Sequence, residues 1–536
     1  MTSPVPVLRK KQASMRVRLH DLVREAAERF PENAALTFKD QTLTYAELRE
    51  RILDAGRGLR RLGVERGDRV AVWLDKRVET VVAVFGTSAA GGVFVPINPV
   101  LRPRQVGHVV ADCDARVLVT TPDRFQSLRE ELENLKSVER VVLVGGAGVE
   151  APAGARYTIS TFDELPEAGT AVPDAGGIDA DVAAILYTSG STGKPKGVVL
   201  SHRNLIVGAE SVSTYIGNTS DDVILSVLPL SFDAGFSQIT TAFATGAHVV
   251  LMNYLLPREV VRLCAKHQVT GLTCVPPLWL QLVEQAWTPE ATASLRYFAN
   301  TGGRMPRTTL DRLRETFPTA KPFLMYGLTE AFRSTYLDPE QVDRRPDSIG
   351  KAIPNAEILV VRPDGTECDA GEEGELVHRG ALVALGYWND PERTAERFKP
   401  LPAREGTLAP ELAVWSGDTV VRDEEGFLYF VGRTDEMIKT SGYRVSPTEI
   451  EEVAYSTGLV RDAVALGLPD AKLGHVIALV VSPTEGAEID EAALLDRFKQ
   501  DVPIYMLPKR IEVRPEMPRS PNGKYDRNLI RQELNQ

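Results

Sequence analysis

Segments with helical periodicity alternate with short β-rich runs along the first third of the chain. Apolar residues recur every three or four positions in LHDLVREAAERF (19–30) and TYAELRERILDAGRGLRRLG (44–63), which predicts two amphipathic helices. The runs VAVWL (70–74), ARVLVTT (115–121) and RVVLV (140–144) are rich in β-branched residues and predict strands. This alternation predicts an α/β fold in which helices cover a mostly parallel sheet.

The pattern changes twice further along the chain. Residues 145–181 are rich in Gly, Ala, Pro and acidic side chains, which predicts an exposed connection. From Glu357 onward, short β-runs separated by turn signals predict a small barrel-like or meandering β subdomain. We therefore predict a large N-terminal domain of layered α/β subdomains plus this β subdomain over residues 15–434, and a small α+β domain over residues 435–536.

The composition narrows the classes of function. The chain has 536 residues, with 62 Lys plus Arg against 73 Asp plus Glu and a net charge of −11, which disfavours broad binding to nucleic acid or anionic lipid. Its four cysteines lack metal-ligand spacing, so we expect a reduced compartment and no structural zinc. The basic N-terminus has no apolar run behind it, and no 18-residue apolar run occurs. We expect a cytoplasmic enzyme without a membrane span.

A loop rich in glycine, hydroxyl and lysine side chains carries the strongest chemical signal. Residues 187–198 have the sequence YTSGSTGKPKGV and follow an apolar strand-like run. Glycine lets backbone N–H groups approach phosphate oxygens, and hydroxyls and lysines add hydrogen-bond donors and positive charge. The alternative interpretation is a flexible surface loop. The residues expected to bind a triphosphate are Thr188, Ser189, Gly190, Ser191, Thr192, Gly193, Lys194 and Lys196.

Three other classes fit the sequence less well. Pro195 stands where a Walker loop needs Ser or Thr, and Ser191 does not lie in the G-x-S-x-G of a serine hydrolase. After VVLVGGAG, Ala151 stands where a dinucleotide fingerprint needs glycine. A non-enzymatic scaffold remains open, because a fold can keep its shape after losing its activity.

A series of motifs resembles the adenylate-forming superfamily, which includes acyl-CoA synthetases, adenylation domains of nonribosomal peptide synthetases and luciferases. The motifs, in the family's order, include LTYAELR at Leu43, AAGGVFVPINP at Ala89, YGLTE at Tyr326, WSGD at Trp415, GRTDEMIKTSGYRVSPTEIE at Gly432 and PNGKYDR at Pro521. YGLTEAFRSTYL is similar to stand-alone ligases related to prolyl-carrier-protein ligases and exosortase-associated ligases. The resemblance implies a carboxylic acid activated with ATP and Mg²⁺ and then transferred to a thiol.

The resemblance also implies roles for individual residues. Lys524 would bridge the substrate carboxylate and the α-phosphate, Thr329 would bind the α-phosphate, and Glu330 would hold Mg²⁺ through its hard carboxylate oxygens. The remaining expected sites are Tyr326 for adenine, Asp418 for both ribose hydroxyls, Arg433 for ribose or phosphate, Asp435 as the hinge of a mobile C-terminal domain, and Lys439 to Tyr443, including Gly442, for the thiol tunnel.

The pair Phe232–Asp233 in LPLSFDAGFSQIT bears on which acid is activated. Amino-acid-activating relatives carry Phe-Asp near this point, whereas acyl- and aryl-CoA ligases usually carry an aromatic–His pair. A carboxylate in an apolar pocket is costly unless a cation pairs with it, and a substrate ammonium would supply that cation. The alternative is that Asp233 only bonds local backbone.

The resemblance places six further side chains in the acid pocket: Cys274, Ala299, Thr301, Met325, Arg333 and Ser334. Most are small or medium in size, which favours a compact substrate. Arg333 could pair with Asp233, bind a polar substrate end or point away, and pairing would weaken the case for an amine. We expect a small amino acid, transferred to the phosphopantetheine thiol of a carrier protein acting in trans, with an acyl-CoA synthetase for an amine-free acid as the alternative.

Overall fold

The computed structural model describes residues 15–165, 175–188, 195–305, 307–401, 411–433, 437–484, 488–518 and 525–535. The helices are α1 (Asp21–Arg29), α2 (Tyr45–Arg61), α3 (Val78–Ala90), α4 (Pro103–Asp112), α5 (Pro122–Leu132), α6 (His202–Ile216), α7 (Asp233–Thr245), α8 (Pro257–His267), α9 (Pro276–Leu282), α10 (Pro289–Thr292), α11 (Arg307–Thr316), α12 (Pro391–Arg397), α13 (Pro447–Tyr455), α14 (Glu491–Asp501) and α15 (Arg527–Leu534). Short 3₁₀ helices span Phe162–Glu164, Thr329–Ala331, Pro339–Gln341 and Ile504–Met506.

The strands are β1 (Ala34–Phe38), β2 (Gln41–Thr44), β3 (Arg69–Val72), β4 (Val93–Pro96), β5 (Val117–Thr120), β6 (Arg140–Leu143), β7 (Thr158–Thr161), β8 (Val182–Thr188), β9 (Lys196–Ser201), β10 (Val223–Ser226), β11 (His248–Leu251), β12 (Gly271–Cys274), β13 (Tyr297–Asn300), β14 (Lys321–Tyr326), β15 (Thr335–Leu337), β16 (Ser348–Ala352), β17 (Ala356–Val361), β18 (Glu373–Gly380), β19 (Gly386–Tyr387), β20 (Phe398–Pro400), β21 (Leu412–Arg422), β22 (Leu428–Arg433), β23 (Ile438–Thr440), β24 (Tyr443–Val445), β25 (Val460–Asp470), β26 (Gly474–Pro483) and β27 (Arg510–Val513).

The elements predicted near the N-terminus form as expected. The two periodic segments are α1 and α2, and the three β-rich runs are β3, β5 and β6. Thr44 and Glu47 start α2 with a capping box, in which each side chain bonds the other's backbone N–H. The expected connection over residues 145–181 is wrong in part, because β7 pairs parallel with β6 as an edge strand. The β-branched sequence TIST favours that strand despite the Gly- and Pro-rich residues before it.

Two large sheets build the N-terminal part of the molecule. One has eight strands in the order β19-β9-β8-β4-β3-β5-β6-β7. The other has 14 strands, in the order β17-β18-β21-β22-β16-β15-β14-β13-β12-β10-β11-β1-β2 with β20 beside β21. Phe85 of α3 contacts Phe236 and Phe243 of α7 at ring-centroid distances of 6.2 and 5.4 Å. This contact lies in one buried cluster that includes residues of both sheets. The layered α/β fold is therefore confirmed.

Antiparallel pairing dominates the later strands, although β27 pairs parallel with β26. Strands β17, β18, β21 and β22 pair in a meander that joins the larger sheet through β16. Beyond residue 437, β24-β23-β26-β25 and β27 form a separate five-stranded sheet packed with α13 and α14. Within the described parts of the chain, no helix is long and apolar enough to cross a membrane.

Candidate functional site

The glycine-rich loop lies between two paired strands. Strands β8 and β9 run antiparallel, and Thr188 at the end of β8 is the register partner of Lys196 at the start of β9. Residues 189–194, which include the expected Ser189, Gly190, Ser191, Thr192, Gly193 and Lys194, lie outside the described residues. The paired strands hold the two ends of the loop together, and β19 covers the other side of β9 in the eight-stranded sheet.

Glu330 is buried at the centre of a polar cluster. It lies in the 3₁₀ helix that starts at Thr329, and only 5% of the residue is exposed. Lys196 Nζ donates to Glu330 Oε1 at 2.9 Å, and the Tyr387 hydroxyl donates to the same oxygen at 2.7 Å. Although burial favours the neutral acid, the charges of Lys196 and Arg444 hold the pKa of the Glu330 carboxyl well below its usual range. Glu330 is therefore an anion in this cluster.

Tyr326 and Asp418 meet on the side of the meander. The Tyr326 hydroxyl at the end of β14 donates to Asp418 Oδ2 in β21, and Asp418 is 2% exposed. Asp418 is the register partner of Arg433 in β22. The structure therefore brings together Tyr326, expected at adenine, and Asp418, expected at ribose, although they lie 92 positions apart in the sequence. The backbone of Arg433, the other residue expected at ribose, lies beside Asp418.

The residues expected to line the acid pocket lie at the carboxyl ends of neighbouring parallel strands. Strands β12, β13 and β14 pair in parallel, and Cys274, Ala299 and Met325 lie near their carboxyl ends. Thr301 follows β13 and donates its N–H to the Cys274 carbonyl at 3.1 Å. All four are at least 94% buried. Crevices outside the carboxyl ends of parallel strands are common ligand sites in α/β proteins, so the fold places the expected pocket residues where such a site forms.

Asp233 opens α7 beside this pocket. The residue before it, Phe232, has extended backbone geometry and no side-chain cap. The tight turn needs Gly235, because a Cβ there would lie 2.0 Å from the Pro229 carbonyl oxygen. Burial raises the pKa of the Asp233 carboxyl, although Arg333 and the N–H groups of Asp233 and Ala234 act in the opposite direction.

Arg333 faces Asp233. Its Nη1 lies 3.6 Å from Asp233 Oδ2, and the side chains are 3% and 17% exposed. The separation exceeds an ordinary N–H···O distance, so this is an ion pair without a well-formed hydrogen bond. Of the three orientations considered for Arg333, the structure has the one that pairs with Asp233. Ser334 turns instead to His378, with 2.9 Å between Oγ and Nδ1.

A turn from the C-terminal part of the chain closes on the same pocket. Ser441 and Gly442 join β23 and β24 with φ of 52° and 82°, as a two-residue hairpin with two left-handed residues requires. A Cβ on Gly442 would lie 2.8 Å from Val275 Cγ2. The Tyr443 ring contacts Phe232 edge-on at 5.3 Å and stacks on Tyr505 at 3.7 Å. The segment expected to face the thiol, from Lys439 to Tyr443, is therefore docked beside Phe232 and Val275.

A cleft of about 1030 Å³ extends outward from this turn. Its walls come from the N-terminal core and from the C-terminal sheet, and they include Trp73, Arg102, Arg124, Tyr443, Tyr505 and Lys509. Arg124 lies over the Trp73 ring, 4.8 Å from its centroid. The cleft is thus lined by aromatic and cationic side chains from both parts of the chain.

Sequence reasoning gave no role to three residues that the structure brings to the site. Tyr387 and Arg444 act on Glu330 as described above. Lys76 is buried, and its Nζ donates to the carbonyls of residues 226–228 at 2.6 to 3.0 Å, just before the Phe232–Asp233 turn. Burial lowers the pKa of Lys76 to about 7. The sequence signals were the position of Tyr387 between Gly386 and Trp388 and the position of Arg444 within the motif that starts at Gly432. Nothing in the sequence near Lys76 marks that residue.

Several expected residues cannot be placed. Lys524 and Asp435 lie outside the described residues, and for Arg433 only the backbone is described. Tyr525, which follows Lys524, donates its hydroxyl to Asp462 Oδ1 at 2.7 Å within the C-terminal domain. The roles expected of Lys524 and Asp435 therefore stay predictions.

Two family models match the chain. The model described as AMP-binding enzyme matches residues 23–388, and the AMP-binding enzyme C-terminal domain matches residues 449–524. The chain therefore belongs to the AMP-binding enzyme family, within the adenylate-forming superfamily, and is by class an AMP-forming acid–thiol ligase.

Individual relatives fall in two groups. Gramicidin S synthase 2 of Aneurinibacillus migulanus is 30% identical over 518 residues, covering 96% of this chain but only 11% of that protein. A long-chain-fatty-acid–CoA ligase of Salmonella typhimurium is 29% identical over 549 residues, covering 96% of this chain and 94% of the ligase. The solved o-succinylbenzoate CoA synthetase of Bacillus subtilis has a TM-score of 0.81 at 27% identity, covering 95% and 98% of the two chains. The chain is thus similar both to a peptide synthetase and to CoA ligases.

Proposed function

We propose that the chain activates a small amino acid with ATP and transfers the aminoacyl group to the phosphopantetheine thiol of a carrier protein. The observation that carries this proposal is the largely buried Asp233 carboxylate, whose nearest described cation is held at 3.6 Å without a well-formed hydrogen bond. A substrate ammonium beside Asp233 would supply the well-formed hydrogen bond that Arg333 does not, because charge-assisted hydrogen bonds are short and strong.

In the first half-reaction, a substrate carboxylate oxygen attacks the α-phosphorus of ATP, and the bond to the bridging oxygen of pyrophosphate breaks. The phosphate loop from Thr188 to Lys196 would hold the triphosphate, and Thr329 and Lys524 would contact the α-phosphate where charge develops. Asp418 and Arg433 would hold the ribose, and Tyr326 would contact the adenine. These assignments rest on the motif positions and on the contacts described above.

The residues present fit Mg²⁺, and Glu330 would hold it. Glu330 supplies a buried, anionic oxygen donor, and Mg²⁺ bound with nucleotides commonly takes only one or two carboxylates. Because Lys196 and Tyr387 occupy Oε1, the second oxygen is the one that would face the metal. The ion would supply charge neutralisation for the phosphates.

In the second half-reaction, a thiolate sulfur attacks the acyl carbon, and the bond from that carbon to the phosphate oxygen of AMP breaks. The docked turn at Gly442 and Tyr443 lies beside Phe232 and Val275, so it would form one wall of the path by which the thiol reaches the pocket. Rotation about Asp435 would exchange this turn for Lys524 between the two half-reactions.

Formation of an acyl-CoA from an amine-free acid is the second candidate. Two observations favour it: Arg333 already faces Asp233, and the interdomain cleft contains Arg102, Arg124 and Lys509, which suit the phosphates of CoA. In that case Asp233 would need no ammonium from the substrate.

ATP–pyrophosphate exchange across amino acids and matched amine-free acids tests the choice of acid. We expect amino acids to be preferred over amine-free acids. Asp233→Asn should raise the apparent KM for the best amino acid about 100-fold or more. The reason is that removing one partner of a buried charge pair costs on the order of 3–5 kcal/mol. Asp222→Asn is the matched control, since Asp222 is also buried and paired with an arginine, Arg296, outside the pocket.

The outcomes separate the two candidates. An amine-free acid that outperforms every amino acid would replace the first proposal with the second. Transfer assays with CoA and with a phosphopantetheinylated carrier protein then identify the acceptor, and efficient transfer to CoA alone would contradict the carrier-protein part. Exchange with none of the acids would contradict both candidates.

A further inference from the structure

Arg333 is a buried cation with unused hydrogen-bonding capacity. Its side chain is 3% exposed, and its one described ion pair is the 3.6 Å contact with Asp233. Its Nε has no hydrogen-bond partner among the described residues. A guanidinium carries five N–H donors in a fixed fork, and a buried donor left unsatisfied is costly. The folded protein therefore keeps a donor group at the acid pocket without enough acceptors of its own.

The backbone before Arg333 is held in a rare conformation. Phe332 has φ of 56° and ψ of −42°, which is unusual for an aromatic residue. Its ring is fully buried against Gly208, where a Cβ would lie 2.5 Å from Phe332 Cδ1. Such backbone strain is of order 1–3 kcal/mol and is typical of functional sites. Burial of the Phe332 ring thus fixes the backbone from which Arg333 reaches Asp233.

The other groups near Arg333 do not satisfy it. Burial raises the pKa of the Tyr215 hydroxyl, and the Arg333 charge acts in the opposite direction. Among the described residues this hydroxyl is hydrogen-bonded to Met325 Sδ at 2.8 Å and not to Arg333. Cys274 and Ala299 contribute small, fully buried side chains to the pocket. Within the described chain, the Asp233 carboxylate is the one acceptor in an ion pair with Arg333.

We propose that Arg333 binds a carboxylate oxygen on the side chain of the acid substrate, distinct from the carboxylate that is adenylated. The inference rests on the proposed function, because it assumes that the acid is activated in this pocket. Charge balance supports a carboxylate best. The pair of Arg333 with Asp233 has no net charge. A substrate that adds one ammonium and one further carboxylate adds no net charge, so the site stays neutral when the substrate binds. The 3.6 Å separation of the pair requires those two substrate groups to lie close together, as on a short side chain.

Matched substrates test this with the full-length protein. Exchange kinetics are compared for aspartate and 2-aminobutyrate, for glutamate and norvaline, and for the amine-free pair succinate and butyrate. We expect the acceptor-bearing member of the preferred pair to have the higher kcat/KM by about 10- to 100-fold, the range for a hydrogen bond to a charged group. Equal values within every pair would overturn the inference while leaving adenylation of amino acids intact.

Variants of Arg333 separate substrate binding from simple neutralisation of Asp233. Arg333→Met should abolish the preference for the acceptor-bearing acid without changing the KM for ATP, and Arg333→Lys should retain part of it. Arg345→Met is the matched control, because Arg345 is also largely buried, at 10% exposure, and pairs with Glu425 elsewhere. A uniform loss on all acids, with the preference retained, would show a structural role and contradict the proposal.

A double variant that removes both charges is the control for loss of folding. Arg333→Met leaves Asp233 buried without its cation, which by itself can destabilise the protein. Arg333→Met/Asp233→Asn removes both charges, and we expect it to fold and to select for neither an ammonium nor an acceptor. Retention of the acceptor preference in the double variant would also overturn the inference. If no acid supports exchange in the natural protein, the proposed function itself fails.

Discussion

Lys196 donates a hydrogen bond to Glu330 across 134 positions of sequence, at 2.9 Å. Lys196 ends the glycine-rich loop at the start of β9. Glu330 lies just after β14, which belongs to the other large sheet. Their side chains are 12% and 7% exposed, so the pair is little screened by solvent. The contact ties the loop expected to bind the triphosphate to the carboxylate expected to bind its metal.

Breaking this pair should destabilise the protein more than removing both charges. Lys196→Met leaves the Glu330 carboxylate buried with fewer partners, and we expect the free energy of unfolding to fall by about 3 kcal/mol. The double variant Lys196→Met/Glu330→Gln has no unpaired buried carboxylate at this position. We therefore expect it to recover most of the free energy of unfolding that Lys196→Met loses. Urea unfolding of the two single variants and the double variant measures the coupling, and strictly additive effects would contradict it. Glu330→Gln should also weaken Mg²⁺-dependent adenylation, because Mg²⁺ prefers the hard oxygens of a carboxylate.

Lys524→Ala should separate the two half-reactions. Lys524 is expected to stabilise charge in the transition state of adenylation only, so adenylate formation should fall by about 100-fold or more. Thioester formation from a supplied acyl-adenylate should be nearly unchanged. Pyrophosphate exchange measures the first step and single-turnover transfer the second. Equal losses in both assays would remove Lys524 from its proposed role.

Gly442→Ala should have the opposite effect. The new Cβ would lie 2.8 Å from Val275 Cγ2 and would strain a residue at φ of 82°, so docking of the turn should be impaired. We expect thioester formation to slow by about 10- to 100-fold, because small displacements at a reacting centre are costly, while adenylation continues.

Two further variants identify the cause of that effect. Gly458→Ala has a comparable φ of 71° but no atom near the new Cβ, so it carries the backbone strain without the contact and should transfer normally. Gly442→Ala/Val275→Ala should recover part of the transfer rate. A transfer rate as low in Gly458→Ala as in Gly442→Ala would assign the effect to strain alone.

Acid should destabilise the protein partly through His378. This residue is fully buried, and burial lowers its pKa to about 3 from an ordinary value of 6.5. The unfolded chain binds the proton first, so the stabilising effect is complete above pH 6.5 and is lost as the pH falls from 6.5 towards 3. At pH 5 the loss is roughly 2 kcal/mol. Between pH 7.5 and 5, the free energy of unfolding should therefore fall by roughly 2 kcal/mol less in His378→Gln than in the natural protein. Parallel curves for the two proteins would exclude this contribution.

The sequence by itself determined the local elements and the order of the motifs. The periodicity of residues 19–30 and 44–63 located α1 and α2, and β-branched runs located β3, β5 and β6, because these patterns arise from the repeat of one helix or strand. The ordered motifs placed the chain in its superfamily. Local chemistry also marked the loop after Thr188, YGLTE and the Phe232–Asp233 pair as candidate sites.

The tertiary structure alone decided which of those side chains meet. Arg333 and Asp233 are 100 positions apart, and only the parallel order of β12, β13 and β14 beside the start of α7 brings them to 3.6 Å. The second hydrogen bond to Glu330 comes from Tyr387, and the contact of Gly442 with Val275 depends on docking between separate sheets. Distances between remote side chains depend on how whole layers pack, which the periodicity of a single segment does not encode. For this reason the sequence predicted candidate residues for the site but left the partner of Arg333 open.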